Sequence, residues 1–314
     1  MDIPVFSDVG QAHKMVQKYA HRTLVLTSSS INKITGGELY FKCENFQKVG
    51  AFKFRGACNA VFSLSEKDAQ KGVATHSSGN HAAALALAAQ MRGIGAQIVM
   101  PDNSPEIKKK AVAGYGAKIT FCEPTLKARE NTLAKVIAET GVTEIHPYNN
   151  FNVIAGQGTC AKELIEDYEN FDIIIVPVGG GGLLSGTAIS TKYLSPNCKV
   201  IAAEPAGADD AFQSFQAKKF IPSVNPKTIA DGLLTSLGER NFTIILEKVD
   251  DIVTVSEEMI VEAMRMIWER MKIIIEPSSA VPLAAILEGK INVQNKKVGI
   301  ILSGGNLDLG KLPF

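Results

Sequence analysis

The chain carries almost no net charge: 33 Lys and Arg against 32 Asp and Glu leave +1 over 314 residues. Without an excess of either sign there is no extended field to attract nucleic acid or an acidic membrane surface, so any recognition of phosphate must be local. Cysteine is scarce too. Cys43, Cys58, Cys122, Cys160 and Cys198 are odd in number, scattered, and form no C-x-x-C pair, which speaks against a disulfide framework and against a zinc site. They read as small buried apolar residues in a reducing compartment. No run approaches the ~18 apolar residues a membrane helix needs. The opening MDIPVFSDVGQAHKM lacks the basic stretch and apolar run of a signal peptide. Internal repeats and low-complexity linkers are missing as well. These absences leave the expectation of a cytoplasmic globular protein that binds neither nucleic acid nor membrane.

What is present is ordinary in bulk, 46% hydrophobic and 21% charged, and long enough that two domains is the better prior. Short β-branched runs alternate with longer helical patterns. Leu39–Cys43, Ile98–Met100, Lys118–Cys122, Ile173–Val178, Val200–Ala203 and Val298–Leu302 are near-continuously apolar, the mark of parallel strands covered on both faces. Ala82–Arg92 reads as an alanine-rich helix. Ser256 reads as the N-cap of a helix with Val261, Met264, Trp268 and Met271 on one face, and Ala280–Leu287 as a helix stopped by Gly289. The alternation predicts an α/β, doubly wound class. Residues 74–147 hold enough strands and helices for a small lobe, with 1–73 and 148–314 forming a large one and a ligand cleft between them.

Four segments can carry chemistry. Val178-Gly179-Gly180-Gly181-Gly182-Leu183 follows a strand and precedes a helix. Glycines there let several N–H groups converge on an anion at a helix N-terminus, whereas a merely flexible turn would sacrifice entropy to no end. A dinucleotide site is the rival, with Glu204 ending the next strand, but Gly186 comes one residue late for G-x-G-x-x-G. In Gly50-Ala51-Phe52-Lys53-Phe54-Arg55-Gly56, two phenylalanines flank Lys53, and burial beside them favours the neutral amine that condenses with an aldehyde. Thr75-His76-Ser77-Ser78-Gly79-Asn80-His81 offers hydroxyls, an amide and helix N-terminal amides to a carboxylate, though it also reads as a plain capped helix. Leu302-Ser303-Gly304-Gly305-Asn306 closes the last strand with a hydroxyl that could meet a ring nitrogen. A buried lysine, a phosphate cradle and a strand-end hydroxyl are the handles that pyridoxal 5'-phosphate requires.

In combination and order the chain resembles the fold-type II (tryptophan synthase β-like) pyridoxal-phosphate enzymes, and within them the serine racemase and serine/threonine dehydratase group. The resemblance rests on Phe41–Gln47, Ala51–Gly56, Ser77–His81, Ala155–Thr159, Gly179–Gly182, Ile229–Gly232, Ile275–Pro277 and Ser303–Asn306, which span nearly the whole chain. It implies two α/β lobes with the cofactor in the cleft between them. It implies that Lys53 carries the cofactor, Phe52 packs on its ring and Glu276 borders it. Asn80 would bond the ring oxygen, Gly179, Gly180, Gly181, Gly182 and Leu183 the phosphate, and Ser303 the ring nitrogen. Ser77, Asn80 and His81 would hold the substrate carboxylate, with Arg129 near the mouth of the site.

Within the group, Ser78 stands where many simple dehydratases carry alanine and where serine racemases use a serine as the acid/base opposite the lysine. Hydroxyaspartate dehydratases share Ser-Ser-Gly-Asn-His. Asn149-Asn150-Phe151-Asn152 departs from the serine run of animal aspartate racemases. Glu204, the carbonyl of Ala208 and Asp210 match the Mg²⁺ or Ca²⁺ ligands of serine racemases, and hard oxygen donors suit such ions; on spacing alone they read as a loop acid and a helix cap. The resemblance further implies a homodimer and raises ATP as an activator between subunits, with Val49 and Ala51 departing from the mammalian wording. The expectation is a racemase of serine that also eliminates it to pyruvate and ammonia, with Lys53 and Ser78 catalytic. The alternative is a threo-3-hydroxyaspartate or L-serine/L-threonine dehydratase with little racemase activity. A non-catalytic sensor or a nicotinamide dehydrogenase would lack a cofactor on Lys53.

Overall fold

The computed structural model describes residues 2–77, 79–104 and 106–314. Among these, ten strands form two sheets: β1 (Val25–Thr27), β2 (Glu38–Cys43), β3 (Val73–His76), β4 (Ala96–Pro101), β5 (Lys118–Cys122), β6 (Thr143–Glu144), β7 (Ile173–Pro177), β8 (Lys199–Pro205), β9 (Asp251–Val255) and β10 (Lys297–Leu302). The larger sheet runs β1-β2-β10-β7-β8-β9 and the smaller β5-β4-β3-β6. Every pairing is parallel except β1 with β2.

The apolar runs seen in the sequence are strands β2, β4, β5, β7, β8 and β10. The central three of the large sheet are almost wholly buried, Ile173–Pro177 throughout and Val298–Leu302 throughout, as expected where helices cover both faces. The strand expected ahead of the Thr75–His81 segment is β3, and the strands not foreseen are β1, β6 and β9. These three are two to five residues long, too short for a period to show. β3 starts at Val73, which pairs with both Ala96 and Thr143, so the small sheet reaches one residue before position 74.

The helix after Ser256 runs Glu257–Met271, and the Ser256 hydroxyl accepts from Met259 N. Its buried stripe is Ile260, Ala263, Met264 and Ile267. Val261 lies to one side, and Trp268 and Met271 are only part-buried against the core. The helix Pro277–Leu287 starts with proline, whose fixed φ suits a first turn, and Gly289 follows it at φ +73°. Among the described residues one core is centred on Phe41, Ile175, Ile300 and Leu302 in the large sheet, a second in that sheet on Ile174, Val176 and Ile301, and another on Phe54, Leu85, Ile98 and Met100 around the alanine-rich helix Asn80–Arg92. No helix among the described residues is long and apolar enough to cross a membrane.

Candidate active site

Lys53 opens the helix Lys53–Phe62 directly behind an antiparallel bridge between Ala51 and Gly304. Phe52 N donates to Ser303 O at 3.0 Å, so the lysine is pinned to the end of β10. Its Nζ donates to Pro147 O at 3.0 Å and lies 5.2 Å from the Phe52 ring centre and 5.9 Å from that of Tyr148. The side chain is part-buried with its amine deep in the fold. Burial lowers its pKa to about 8, opposed by the Glu276 carboxylate, which makes the nucleophilic neutral amine accessible near neutral pH.

Glu276, Asn80 and Asn306 form the neighbouring cluster. Asn80 Nδ2 donates to both Glu276 oxygens at 3.0 and 3.2 Å, Asn306 N donates to Glu276 Oε2 at 3.1 Å, and Asn306 Nδ2 donates to Asn80 Oδ1 at 3.0 Å. Burial, with Asp231 adding repulsion, raises the Glu276 pKa to about 7. At the end of β10 the Ser279 hydroxyl accepts from Gly304 N at 2.7 Å and donates to Gly304 O at 2.6 Å. Ser303 Oγ lies 3.1 Å from Ser279 Oγ. With the Ser279 proton committed to Gly304 O, the Ser303 proton is free to serve Ser279 or a ligand.

The glycine loop turns from β7 into the helix Gly182–Leu194 through Gly181 at φ +86°. A Cβ on Gly180 would stand 2.4 Å from the Tyr148 ring, and one on Gly181 2.9 Å from Asn241 Cβ, so side chains are barred there. Among the described residues, the N–H groups of Gly179, Gly180, Gly181, Gly182 and Leu183 donate to no protein acceptor. Orphan donors at a helix N-terminus suit a phosphate. Together with the Lys53 amine and the Ser303 hydroxyl, they fit pyridoxal phosphate.

The carboxylate segment is less simple. Ser77 follows β3, and its Oγ accepts from Gly79 N at 3.3 Å. Ser78 lies outside the described residues. His81 Nε2 contacts Ile145 O at 3.1 Å, so Nε2 carries the proton and Nδ1 is an acceptor; burial lowers the pKa to about 3. The ring therefore offers a carboxylate no proton, and the segment's contribution falls to backbone N–H groups at the start of the helix Asn80–Arg92. Arg129, on the helix Leu126–Thr140, lies toward His76, whose pKa burial and Arg129 lower to about 4. A cleft of about 700 Å³ is lined by Gly79, Asn80, Lys108, Asp231 and Asn306; it meets the site at Asn80 and Asn306 rather than at Lys53.

Glu204, Ala208 and Asp210 sit apart from the lysine. Glu204 ends up capping the helix Asp210–Ala217: its oxygens accept from Ala211 N at 3.2 Å and Phe212 N at 2.9 Å, while Asp209 at the N-cap position makes no side-chain cap bond. Asp210 Oδ2 accepts from Leu237 N at 3.1 Å, and its buried Oδ1 has no hydrogen-bond partner among the described residues. Burial raises Glu204 to about 9 and Asp210 to about 6. Among the described residues no three His, Cys, Asp or Glu side chains gather to hold a metal. Two carboxylates and a carbonyl, one oxygen of them orphaned, is nonetheless a donor set of the kind hard cations take.

Sequence reasoning missed Ser279, the turn His146–Asn149, Asn241 and the Lys108–Asp231 ion pair. Ser279 reads as part of a helix start and Asn241 as an ordinary helix residue, so neither carries a local signal. Asn306, in Ser303–Asn306, and Asp231, in Ile229–Gly232, lie in segments that carry the resemblance and are the legible partners.

The family described as "Pyridoxal-phosphate dependent enzyme" matches residues 16–304. The chain is 54% identical over 310 residues to the serine racemase of Dictyostelium discoideum, covering 97% of this chain and 95% of that one. It is 51% identical over 314 residues, all of both chains, to the beta-hydroxyaspartate dehydratase of Paracoccus denitrificans. The crystal structure of the Dictyostelium discoideum serine racemase superposes with a TM-score of 0.93 at 53% identity, covering 97% of this chain and 99% of that one.

Proposed function

The chain belongs to the pyridoxal-phosphate dependent enzymes, with their fold-type II architecture, and on that premise we propose that it interconverts L- and D-serine and also eliminates serine to pyruvate and ammonia. The observation that carries this reading is likeness over nearly the whole chain to serine racemases, 54% to that of Dictyostelium discoideum and 48% to that of Homo sapiens.

When bound, pyridoxal phosphate supplies an electron sink that makes the Cα proton of an amino acid removable. The chain's own part is binding and proton handling. Lys53 Nζ would hold the cofactor and, as the amine freed by substrate, take the Cα proton from one face, and the Ser78 hydroxyl would serve the other. Gly179–Leu183 would hold the phosphate through their N–H groups, Ser303 the ring nitrogen and Asn80 the ring oxygen, with Phe52 and Glu276 beside the ring. Ser77, Asn80 and the backbone at His81 orient the substrate carboxylate, and Arg129 guards the entrance. A neutral hydroxyl such as that of Ser303 would leave a ring nitrogen it met unprotonated, which would suit racemisation and elimination over transamination.

We take residues 74–147 as the small lobe and 1–73 with 148–314 as the large one, Glu204, Ala208 O and Asp210 as ligands of Mg²⁺ or Ca²⁺, and the chain as a cytoplasmic homodimer. Sedimentation velocity tests the dimer, and serine turnover measured with and without ATP decides whether ATP is an activator. A second reading, hydroxyaspartate elimination with little racemisation, is favoured by the full-length match to the Paracoccus denitrificans enzyme. Chiral product analysis with L-serine, D-serine, L-threonine and threo-3-hydroxyaspartate decides. D-serine formed from L-serine supports the first reading, and fast ammonia release from hydroxyaspartate without it supports the second.

A further inference from the structure

Lys53 and the glycine loop stand on different elements, and a ligand that grips both needs their spacing fixed. The turn His146–Asn149 runs between them. Pro147 O accepts from Lys53 Nζ, and the Tyr148 ring lies flat against Gly180. From within, His146 Nδ1 accepts from Tyr148 N at 3.3 Å and Asn149 N at 2.9 Å, so the imidazole is neutral and acts as the template of the turn. From outside the turn meets Asn241, which is fully buried. Asn241 Nδ2 donates to Tyr148 O at 3.1 Å and to Gly180 O at 2.6 Å. The next contacts reinforce it: Arg240 N donates to Asn149 Oδ1 at 3.1 Å and Gly238 N to Gly180 O at 3.1 Å. Asn241 Oδ1 has no donor among the described residues. A buried acceptor left unmet is unfavourable, so the amide is not there to satisfy itself.

We propose that Asn241 is a positioning residue: its amide staples the turn that holds the Lys53 amine to the loop that holds the phosphate, and so sets the separation of the two anchors. The inference rests on the cofactor reading of the site. A merely structural asparagine would stabilise one anchor or the whole fold. A staple instead acts on the advantage of gripping both ends at once, which depends on how well the two are held in register.

Three probes separate these roles. Pyridoxal engages Lys53 alone, inorganic phosphate engages the glycine loop alone, and pyridoxal phosphate engages both. Calorimetric titration of the cofactor-free chain and of Asn241→Leu with each probe, alongside melting curves, reads the difference. For the variant, the Kd of pyridoxal phosphate should rise by about tenfold or more while those of pyridoxal and phosphate move by less than about twofold. Equal losses for all three probes, or an unchanged Kd for pyridoxal phosphate, overturn the proposal. Failure of the parent chain to bind pyridoxal phosphate at all would sink the cofactor reading instead. Should Asn241→Leu not fold, His146→Leu loosens the same turn and should give the same selective loss, with His146→Asn, whose Oδ1 replaces the Nδ1 acceptor, restoring the parent values; any other pattern overturns the proposal.

Discussion

The cation site proposed at Glu204 and Asp210 predicts a stability that depends on pH and on divalent cation together, with the sign set by the burial of the two carboxyls. Both carboxyls are buried, 0% and 3% exposed, and burial raises Asp210 from 3.8 to about 6 and Glu204 from 4.5 to about 9. A carboxyl whose pKa is raised by folding holds its proton more tightly in the native state. Its contribution is intact below the unfolded pKa and is lost as pH climbs through the folded one. For Asp210 that loss, complete above pH ~6, amounts to about 3 kcal/mol. Glu204 acts with the same sign up to about pH 9, the two titrating as a pair. A divalent cation at the proposed site would bind the deprotonated oxygens and reverse the loss. At a hundredfold excess over its Kd it adds about 2.7 kcal/mol, which for a chain of this size is a rise of roughly 5 °C in Tm. The assay is thermal unfolding in Mg²⁺, Ca²⁺ and chelator between pH 4 and 9, for the parent and for Asp210→Asn. In chelator the parent should lose stability relative to Asp210→Asn as pH rises from 4 through about 6, and cation should raise only the parent. A parent melting temperature that saturating Mg²⁺ and Ca²⁺ both leave unmoved would refute the cation site, and a parent-minus-variant difference flat in pH would refute the burial argument beneath it.

Lys53→Ala should abolish turnover, and borohydride reduction followed by peptide mapping should then find cofactor on no lysine; label on Lys42 or Lys108 would show that the wrong amine was assigned. Ser78→Ala should stop interconversion of the serine enantiomers and D-serine elimination while leaving substantial L-serine elimination, because only the lysine face is then served. Incubation in deuterated water, with the chirality and isotope content of recovered serine, checks this, and D-serine formed at the parent rate is the contrary result. Gly180→Ala places a methyl 2.4 Å from the Tyr148 ring, an overpacking of about 1–3 kcal/mol, and should weaken pyridoxal-phosphate binding at least several-fold by titration; an unaltered Kd would mean that the loop yields freely. Arg55 is wholly buried, its guanidinium bound by Glu44 at 2.6 Å and Glu163 at 2.8 Å; Glu163 keeps Lys42 at 2.8 Å, so Arg55→Met strands the buried Glu44 and should destabilise by about 3–5 kcal/mol in a urea melt, with a loss under 1 kcal/mol telling against a closed ion network.

The sequence by itself determined the α/β class and the strands of the large sheet's centre, because a strand covered on both faces must be apolar at every position and such runs stand out in one dimension. It proposed Lys53, the glycine loop and Ser303 as chemical handles only in combination, since an amine between aromatics or a hydroxyl at a strand end says little alone and the set of three matches what one cofactor requires. Only the tertiary structure decided what surrounds them. That His81 offers an acceptor and not a proton follows from Ile145 O lying 3.1 Å away. That Glu204 caps the helix Asp210–Ala217 follows from where β8 ends. Asn241 meets Tyr148 O and Gly180 O, groups 93 and 61 residues distant along the chain. A local pattern records what a residue can do, but a buried hydrogen bond between distant segments is chosen by packing, and nothing in the flanking residues announces its partner.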